Sequence, residues 1–96
     1  MKTTGIELIT KERKEQIEIH NRTIEDDKKF NTDYQLSYAG CCLVWTEIDN
    51  FLLDCRYRPP TGWGLQSWHN MLDKPYKERL IIAGALIAAE IDRLNH

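Results

Sequence analysis

The sequence has few cysteines, no excess of positive charge and no long apolar run, and each shortage excludes a class of protein. Its three cysteines are odd in number and two are adjacent, unlike the disulfide framework of a secreted domain. A net charge of -2 leaves no broad basic face for duplex DNA. The longest apolar run covers ten residues from Leu80, about half of a membrane-spanning helix. We therefore expect a protein of the reducing cytoplasm that binds neither membrane nor duplex nucleic acid.

Motifs for structural zinc and for secretion are also missing. No Cys-x-x-Cys pair occurs, and three cysteines with scattered histidines do not give the four closely spaced ligands of a zinc site. The first segment, "MKTTGIELITKERKE", becomes charged after a few apolar residues and lacks the apolar part of a signal peptide. The remaining composition, 42% hydrophobic and 29% charged, suits one soluble domain over residues 1–96.

Apolar spacing predicts a first helix near the N-terminus. In "IELITKERKEQIEI" the apolar residues recur at helical spacing, which predicts a helix from about Gly5 to Ile19 or His20. Thr3 or Thr4 can cap it. The next segment, "NRTIEDDKKFNTD", follows neither a helical nor a strand period, and we predict a loop there.

Two more helices are predicted, with a connector between them. Asp33 can cap a helix over residues 34–54, which continues or restarts through Ile48, Phe51 and Leu52. The stretch "CRYRPPTGWGLQSWH", residues 55–69, is predicted to be a connector, because consecutive prolines stop a helix. Pro75 suits the first turn of a last helix that reaches the end of the sequence. The predicted fold is an all-α bundle of three to five helices with a long Trp/Pro/Gly-rich connector.

Small residues make one side of the last helix thin. They let a neighbouring backbone approach closely, and that neighbour is either a helix of the same chain or a second subunit. We expect a homo-oligomer. The small residues are Ala83, Gly84, Ala85, Ala88 and Ala89.

Polar side chains interrupt the apolar stripes of the two terminal helices. Glu12 and Gln16 share a face of the first helix with isoleucines, with Arg13 one step around, and Glu90 lies among apolar residues of the last helix. A buried carboxylate costs several kcal/mol unless a cation or hydrogen bonds compensate it. These side chains either reach water at the edges of their stripes or line a polar ligand pocket inside the bundle.

Acidic residues near the first helix suggest a Mg²⁺ site. Asp26 and Asp27 follow Glu25 in an acidic triplet, and carboxylate oxygens are the ligands that Mg²⁺ prefers. Together with Glu12 and Glu15 they form a predicted set of metal ligands. The alternative is a solvated acidic turn without a metal.

The connector has the chemistry of a nucleotide site. Trp63 and Trp68 offer flat faces for a base, and stacking on an aromatic side chain contributes roughly 1–3 kcal/mol per base. Arg56 and Arg58 can hold phosphate by paired hydrogen bonds, and Tyr57 can stack or donate. The alternative is that the tryptophans fix the connector onto the bundle.

Three segments resemble, in order, a family of small phage and prophage proteins sometimes described as MazG-like. They are "GIELITKERKEQIEI", "TIEDDKKFNTDYQLSYAG" and "KPYKERLIIAGALIAAEIDRL". The most specific parts are Glu12-Arg13-x-x-x-Gln16, the Asp26–Asp27 pair, Gln35–Leu36 and the "AGALIAAEIDRL" end.

MazG proteins proper are all-α, Mg²⁺-dependent enzymes that cleave nucleoside triphosphates between the α and β phosphorus atoms. The resemblance implies that Glu12-x-x-Glu15 corresponds to their first pair of metal ligands. This sequence departs from the pattern at Glu47-x-x-Asn50, where a second carboxylate pair is expected, and at Glu25 and Lys29, which replace histidines.

These observations leave three hypotheses of function. The first, which we favour, is a phage-type protein that captures a nucleotide or nucleotide-derived signal without turnover, in a pocket between the helices and the connector. The second is a Mg²⁺-dependent nucleoside triphosphate pyrophosphohydrolase. The third is a helical module for protein–protein interaction.

Overall fold

The structure is a computed structural model that describes residues 3–20, 23–45 and 55–96. Five helices lie wholly within these ranges, and the same ranges contain no strand. The predicted all-α bundle is confirmed. No helix in the described ranges is both long and apolar enough to span a bilayer. The helices are α1 (Gly5–Glu18), α2 (Ile24–Phe30), α3 (Gln35–Trp45), α4 (Leu65–Leu72) and α5 (Tyr76–Asn95).

The start of α1 is set by a capping box, and the predicted first helix is confirmed. The Thr4 hydroxyl accepts a hydrogen bond from the Glu7 backbone N–H at 3.2 Å, and the Glu7 carboxylate accepts from the Thr4 N–H at 3.4 Å. Two backbone donors that the helix itself leaves without acceptors are thereby satisfied.

The loop prediction for residues 21–33 was wrong where α2 forms, over Ile24–Phe30. The Thr23 hydroxyl caps α2 by accepting from the Asp26 backbone N–H at 3.2 Å. Three acids lie in the first turn and two lysines in the last, an order that the helix dipole favours. A helix of seven residues is too short to show a clear apolar period, so its only sequence signals were the cap and this order of charges.

The second predicted helix begins close to its expected cap. Tyr34 lies in the left-handed region at φ 63°, and α3 starts at the next residue. The Gln35 side chain fixes the entry, since its Oε1 accepts from the Asp33 N–H at 2.7 Å and its Nε2 donates to the Phe30 carbonyl at 3.0 Å. The predicted continuation through Ile48 lies outside the described residues.

The connector prediction was wrong for its second half, because α4 occupies Leu65–Leu72. The prolines do stop helix formation before this point, but Gly64 serves as an N-cap and the chain turns helical again. The last predicted helix is confirmed as α5, with Pro75 at its N-cap.

The long helix α5 is the centre of the bundle and contacts α1, α2 and α3. Its small residues allow close approach on two sides. A Cβ added to Gly84 would lie 2.6 Å from Ile9 Cδ1 of α1, and one added to Gly40 of α3 would lie 3.6 Å from the Ala83 carbonyl oxygen. At these positions the neighbours are helices of the same chain.

Trp68 and Arg79 hold the irregular parts onto this core. Trp68 is completely buried, and its indole N–H donates to the Cys55 carbonyl at 2.7 Å. Arg79, 6% exposed, donates to the Leu43 carbonyl near the end of α3 and to the Lys74 carbonyl before α5, each at 3.0 Å.

Candidate functional site

A groove in two parts runs between α1, α4, α2 and the Trp63 turn. The first part, which we call the α1–α4 cavity, has a volume of about 360 Å³. The second, the α2–Trp63 cavity, has about 290 Å³. Ser67 lines both, so the two cavities adjoin, and we refer to them together as the two-part groove.

Both walls of the two-part groove carry polar and charged side chains. The α1–α4 cavity is lined by Glu12, Glu15, Gln16, His20, Ser67, Asn70, Met71, Lys74 and Ile82. The α2–Trp63 cavity is lined by Asp26, Asp27, Phe30, Asn31, Trp63, Gly64 and Ser67.

Gln16 is the most buried polar group of the α1–α4 cavity, with 3% of its surface exposed. Its Nε2 donates to Glu12 Oε2 at 3.2 Å. Only the NH₂ end of an amide can donate to a carboxylate, so this bond fixes the orientation of the amide. Among the described residues no group donates to the buried Gln16 Oε1. A buried acceptor without a donor costs about 1–3 kcal/mol, which a donor brought by a ligand would offset.

The four predicted metal ligands are divided between the two cavities. Glu12 and Glu15 line the first, and Asp26 and Asp27 line the second. Asp27 is 1% exposed and accepts a hydrogen bond from Asn31 Nδ2 at 2.7 Å. Within the described ranges no three His, Cys, Asp or Glu side chains form a group able to hold a metal ion. The Mg²⁺ site stays a prediction.

Trp63, predicted to stack on a base, lies at the wall of the two-part groove. It is partly exposed, lines the α2–Trp63 cavity, and donates from Nε1 to Asn31 Oδ1 at 2.9 Å. Because the Asn31 amide also donates to Asp27, one asparagine joins α2 to the Trp63 turn. The edge of the indole is thereby held, and Phe30, 68% exposed, offers a second aromatic ring in the same cavity.

Trp68, also predicted to stack on a base, belongs to the core instead. It has no exposed surface, stacks on Tyr38 with ring centroids 6.2 Å apart, and meets Trp63 edge to face. The anchoring role that we gave as the alternative for the tryptophans therefore describes Trp68. The sequence could not separate the two tryptophans, because the separation depends on which of them faces Tyr38.

The predicted phosphate-binding side chains lie away from the two-part groove. Arg56 pairs with Asp73 through two hydrogen bonds of 2.6 and 3.4 Å, and these bonds raise the pKa of Arg56 and lower the pKa of Asp73. Arg58 lines a separate depression beside Tyr38. Tyr57 is 68% exposed and meets His69 edge to face. None of the three lines either cavity.

Arg13 and Glu90 were predicted to face a ligand pocket, but their contacts join helices. Arg13 is 9% exposed and its Nη2 lies 3.2 Å from Asp92 Oδ2, which ties α1 to α5. Glu90 is 8% exposed and accepts hydrogen bonds from Ser37 at 3.2 Å and Arg93 at 2.5 Å. Both lie outside the two-part groove.

Four polar residues of the α1–α4 cavity were missed in the sequence, namely His20, Ser67, Asn70 and Lys74, and so were Phe30 and Asn31 of the α2–Trp63 cavity. Ser67 and Asn70 belong to α4, where their spacing of three places them on one face, and Lys74 lies two residues beyond the end of this helix. This spacing is visible in the sequence, but it indicates a shared face only if residues 65–72 form a helix.

The fold and the two-part groove together define a small all-α protein. Its groove is lined by acidic side chains and has aromatic rings at one end. Comparisons with protein-family models, with curated proteins and with solved structures gave no match to this chain. Its function is therefore inferred from the chemistry of the groove.

Proposed function

We propose that the protein binds a nucleotide, or a signal derived from one, in the two-part groove and holds it without turnover. The observation that carries the proposal is the Trp63 ring at the wall of one cavity, next to a second cavity that contains the buried acceptor of Gln16. Small-molecule sites measure roughly 300–1,000 Å³, and each cavity is close to the lower end of this range, so a molecule of nucleotide size would extend over both.

The two ends of the groove match the two ends of a nucleotide. Trp63 and Phe30 present aromatic surface to a base. In the α1–α4 cavity the carboxylates and the Gln16 oxygen can accept hydrogen bonds from sugar hydroxyls, and Lys74 supplies a cation for a phosphate. Four carboxylates outnumber this lysine. The groove therefore favours a ligand with few phosphates, or one whose phosphates carry Mg²⁺.

The hydrogen bonds of the carboxylates that line the groove favour ligand capture over ligand hydrolysis. Catalysis by two metal ions needs several carboxylates directed at the metals. Here Glu12 accepts from Gln16, and Asp27 accepts from Asn31, so two of the four candidates already bind protein amides. The resemblance to small phage proteins favours a nucleotide signal of cytoplasmic host defence as the ligand.

A Mg²⁺-dependent pyrophosphohydrolase is the second candidate. Glu12 and Glu15 line the same cavity, which is the arrangement that the resemblance to MazG proteins implies for one metal ion. The site would have to gain further oxygen ligands from the substrate or from water.

One assay separates the two functions. The protein is incubated with mono-, di- and triphosphate nucleotides and with cyclic and ADP-ribose-type nucleotides, with and without Mg²⁺, then heated, and the released compounds are identified by mass spectrometry. Intact ligand in stoichiometric amount supports capture. Release of pyrophosphate and monophosphate supports hydrolysis, and no binding by any compound contradicts both.

Trp63→Ala tests the position of the ligand. Loss of the stacking surface should raise the Kd by roughly 5- to 150-fold, because stacking contributes roughly 1–3 kcal/mol. Tyr57→Ala is the matched control, since Tyr57 is an exposed aromatic residue of the same connector outside the groove. Calorimetric titration that gives equal affinities for the two variants would contradict the assignment of the groove.

A further inference from the structure

A second surface, on the α3 and α5 side of the bundle, is apolar and exposed. Ile87, Ile91 and Leu94 follow one another at spacings of four and three, so they share one face of α5. They are 50%, 53% and 69% exposed, and Trp45 at the end of α3 is 42% exposed. Side chains at this spacing are typical of a helix that faces another helix along a seam.

The α3–α5 face, as we call it, consists of Cys41, Val44, Trp45, Ile87, Ile91 and Leu94. A groove of about 370 Å³ runs along it between the two helices. Gly40 forms its floor, where the α3 backbone lies close to the Ile87 side chain. The face shares no residue with the two-part groove, so a partner can occupy it while a ligand is bound.

Charge at the α3–α5 face is already neutralised. Among the described residues that line the groove, Glu90 is the one carboxylate, and it is held by Arg93 and by Ser37. A small polar ligand would find few hydrogen-bonding groups there. Because Glu90 is already paired, an apolar helix face can pack here without burying an unpaired carboxylate of the described lining. The same holds when the packing helix belongs to a second copy of the chain.

The size of the α3–α5 face agrees with an interface between small proteins. From the exposed fractions of its large side chains, its apolar area is on the order of 500 Å², at the upper end of the patches that monomers leave uncovered. A stable interface buries about 800 Å² on each partner, polar rim included. About 65% of a homodimer interface is apolar, so an interface of this size contains roughly 500 Å² of apolar area on each partner.

We infer that two copies of the chain associate through the α3–α5 face, with the Ile87–Ile91–Leu94 stripe of one copy packed on the same stripe of the other. A second copy is the occupant that fits, because it offers a stripe of equal length, equal spacing and no net charge. A two-fold axis across α5 makes the contact self-complementary and closed.

The mass of the protein in solution tests this inference. Light scattering after size exclusion should give twice the chain mass of 11.3 kDa. Ile91→Glu should give a monomer at the same concentration, since it places two like charges in the apolar seam. Ile6→Glu is the matched control, because Ile6 is 81% exposed on α1 and lies outside the face, and it should stay dimeric. A wild-type mass of one chain at about 100 μM, above the micromolar limit of interfaces of this size, would overturn the inference.

Cys41 provides a second test that needs no substitution. It is the exposed cysteine on the α3–α5 face, whereas Cys42 and Cys55 are buried. Its alkylation by a maleimide, followed by mass spectrometry, should slow at least tenfold between dilute and concentrated wild-type protein. Ile91→Glu should react at the fast rate at both concentrations. Equal rates for the wild type at both concentrations would contradict association through this face, whatever the groove binds.

Discussion

At the scale of single residues, the candidate site depends on two buried or partly buried amides, Asn31 and Gln16, whose hydrogen bonding differs. The Asn31 amide donates to Asp27 Oδ1 and accepts from the Trp63 indole N–H, so it fixes the aromatic end of the groove. Gln16 differs, because its NH₂ end binds Glu12 while its buried oxygen has no donor among the described residues. A buried acceptor without a donor lowers the folding stability of the free protein. It raises the affinity for a ligand that supplies the missing donor.

Gln16→Leu should therefore raise stability and lower affinity together. The substitution removes a buried acceptor without a donor and keeps a side chain of similar size, so we expect the free energy of unfolding to rise by about 1 kcal/mol. Urea denaturation measures this change, and titration measures the expected loss of nucleotide binding. Gln66→Leu is the control on α4, where the side chain is exposed and bonds only to exposed Asn70. A lower stability for Gln16→Leu would contradict the prediction, because the lost hydrogen bond to Glu12 would then outweigh the gain from removing the buried oxygen.

Trp68→Phe tests whether Trp68 contributes to the stability of the core or to ligand binding. It removes the indole N–H that satisfies the buried Cys55 carbonyl and leaves space in the core, so we expect a loss of about 2–4 kcal/mol in unfolding free energy. Nucleotide affinity at a temperature well below the Tm should stay within twofold of wild type. Thermal unfolding and titration of the same sample provide both values, and a selective loss of affinity would return Trp68 to the site.

At the scale of helices, the caps and the close contacts decide where each element lies. The Thr23 cap explains α2 in a segment without an apolar period, and the Gly64 N-cap restarts helix formation four residues after Pro60. The walls of the groove depend on both short helices. A helix of seven or eight residues is marginal on its own, so these two form because they pack on the rest of the bundle.

Thr23→Ala should destabilise the protein by about 0.5–2 kcal/mol, the usual effect of losing an N-cap. The loss arises because the Asp26 backbone N–H no longer has its acceptor. Thr32→Ala, at an exposed position after α2, should change stability by less than about 0.5 kcal/mol. Chemical denaturation of the two variants side by side checks α2, and equal midpoints would mean that Thr23 does not cap a helix.

Gly84→Ala tests the contact between α1 and α5. Alanine is favoured over glycine by about 1 kcal/mol within a helix, but its Cβ would lie 2.6 Å from Ile9 Cδ1 and 2.9 Å from Ile9 Cγ1. Overpacking costs about 1–3 kcal/mol, so we expect a net loss of stability.

Gly40→Ala is the matched control for Gly84→Ala, because its new Cβ would meet its nearest atoms at 3.6 Å and should be tolerated. Ile9→Val combined with Gly84→Ala should recover part of the loss, since valine lacks the Cδ1 atom. Urea midpoints of the three variants and the wild type complete the comparison. A Gly84→Ala protein more stable than Gly40→Ala would contradict the close contact.

At the scale of the whole molecule, the sequence predicted the long elements and missed the short ones. Apolar spacing over many residues located α1 and α5 and the all-α class. The groove was only partly predicted, because Glu12, Glu15 and Gln16 could be placed on one face, whereas their opposite wall required α4. Arg56 and Arg58 were expected beside Trp63 from their nearness in the chain, but the turn at the prolines directs them elsewhere.

The helix α5 follows α1, α2 and α3 in the chain, and it packs against all three of these described helices. While the polypeptide is being synthesised from its N-terminus, α1, α2 and α3 lack the helix that they pack against in the folded protein. A ribosome that stalls before residue 76 would leave these segments exposed to proteases and chaperones, and the bundle would close in one late step once Tyr76–Asn95 has emerged.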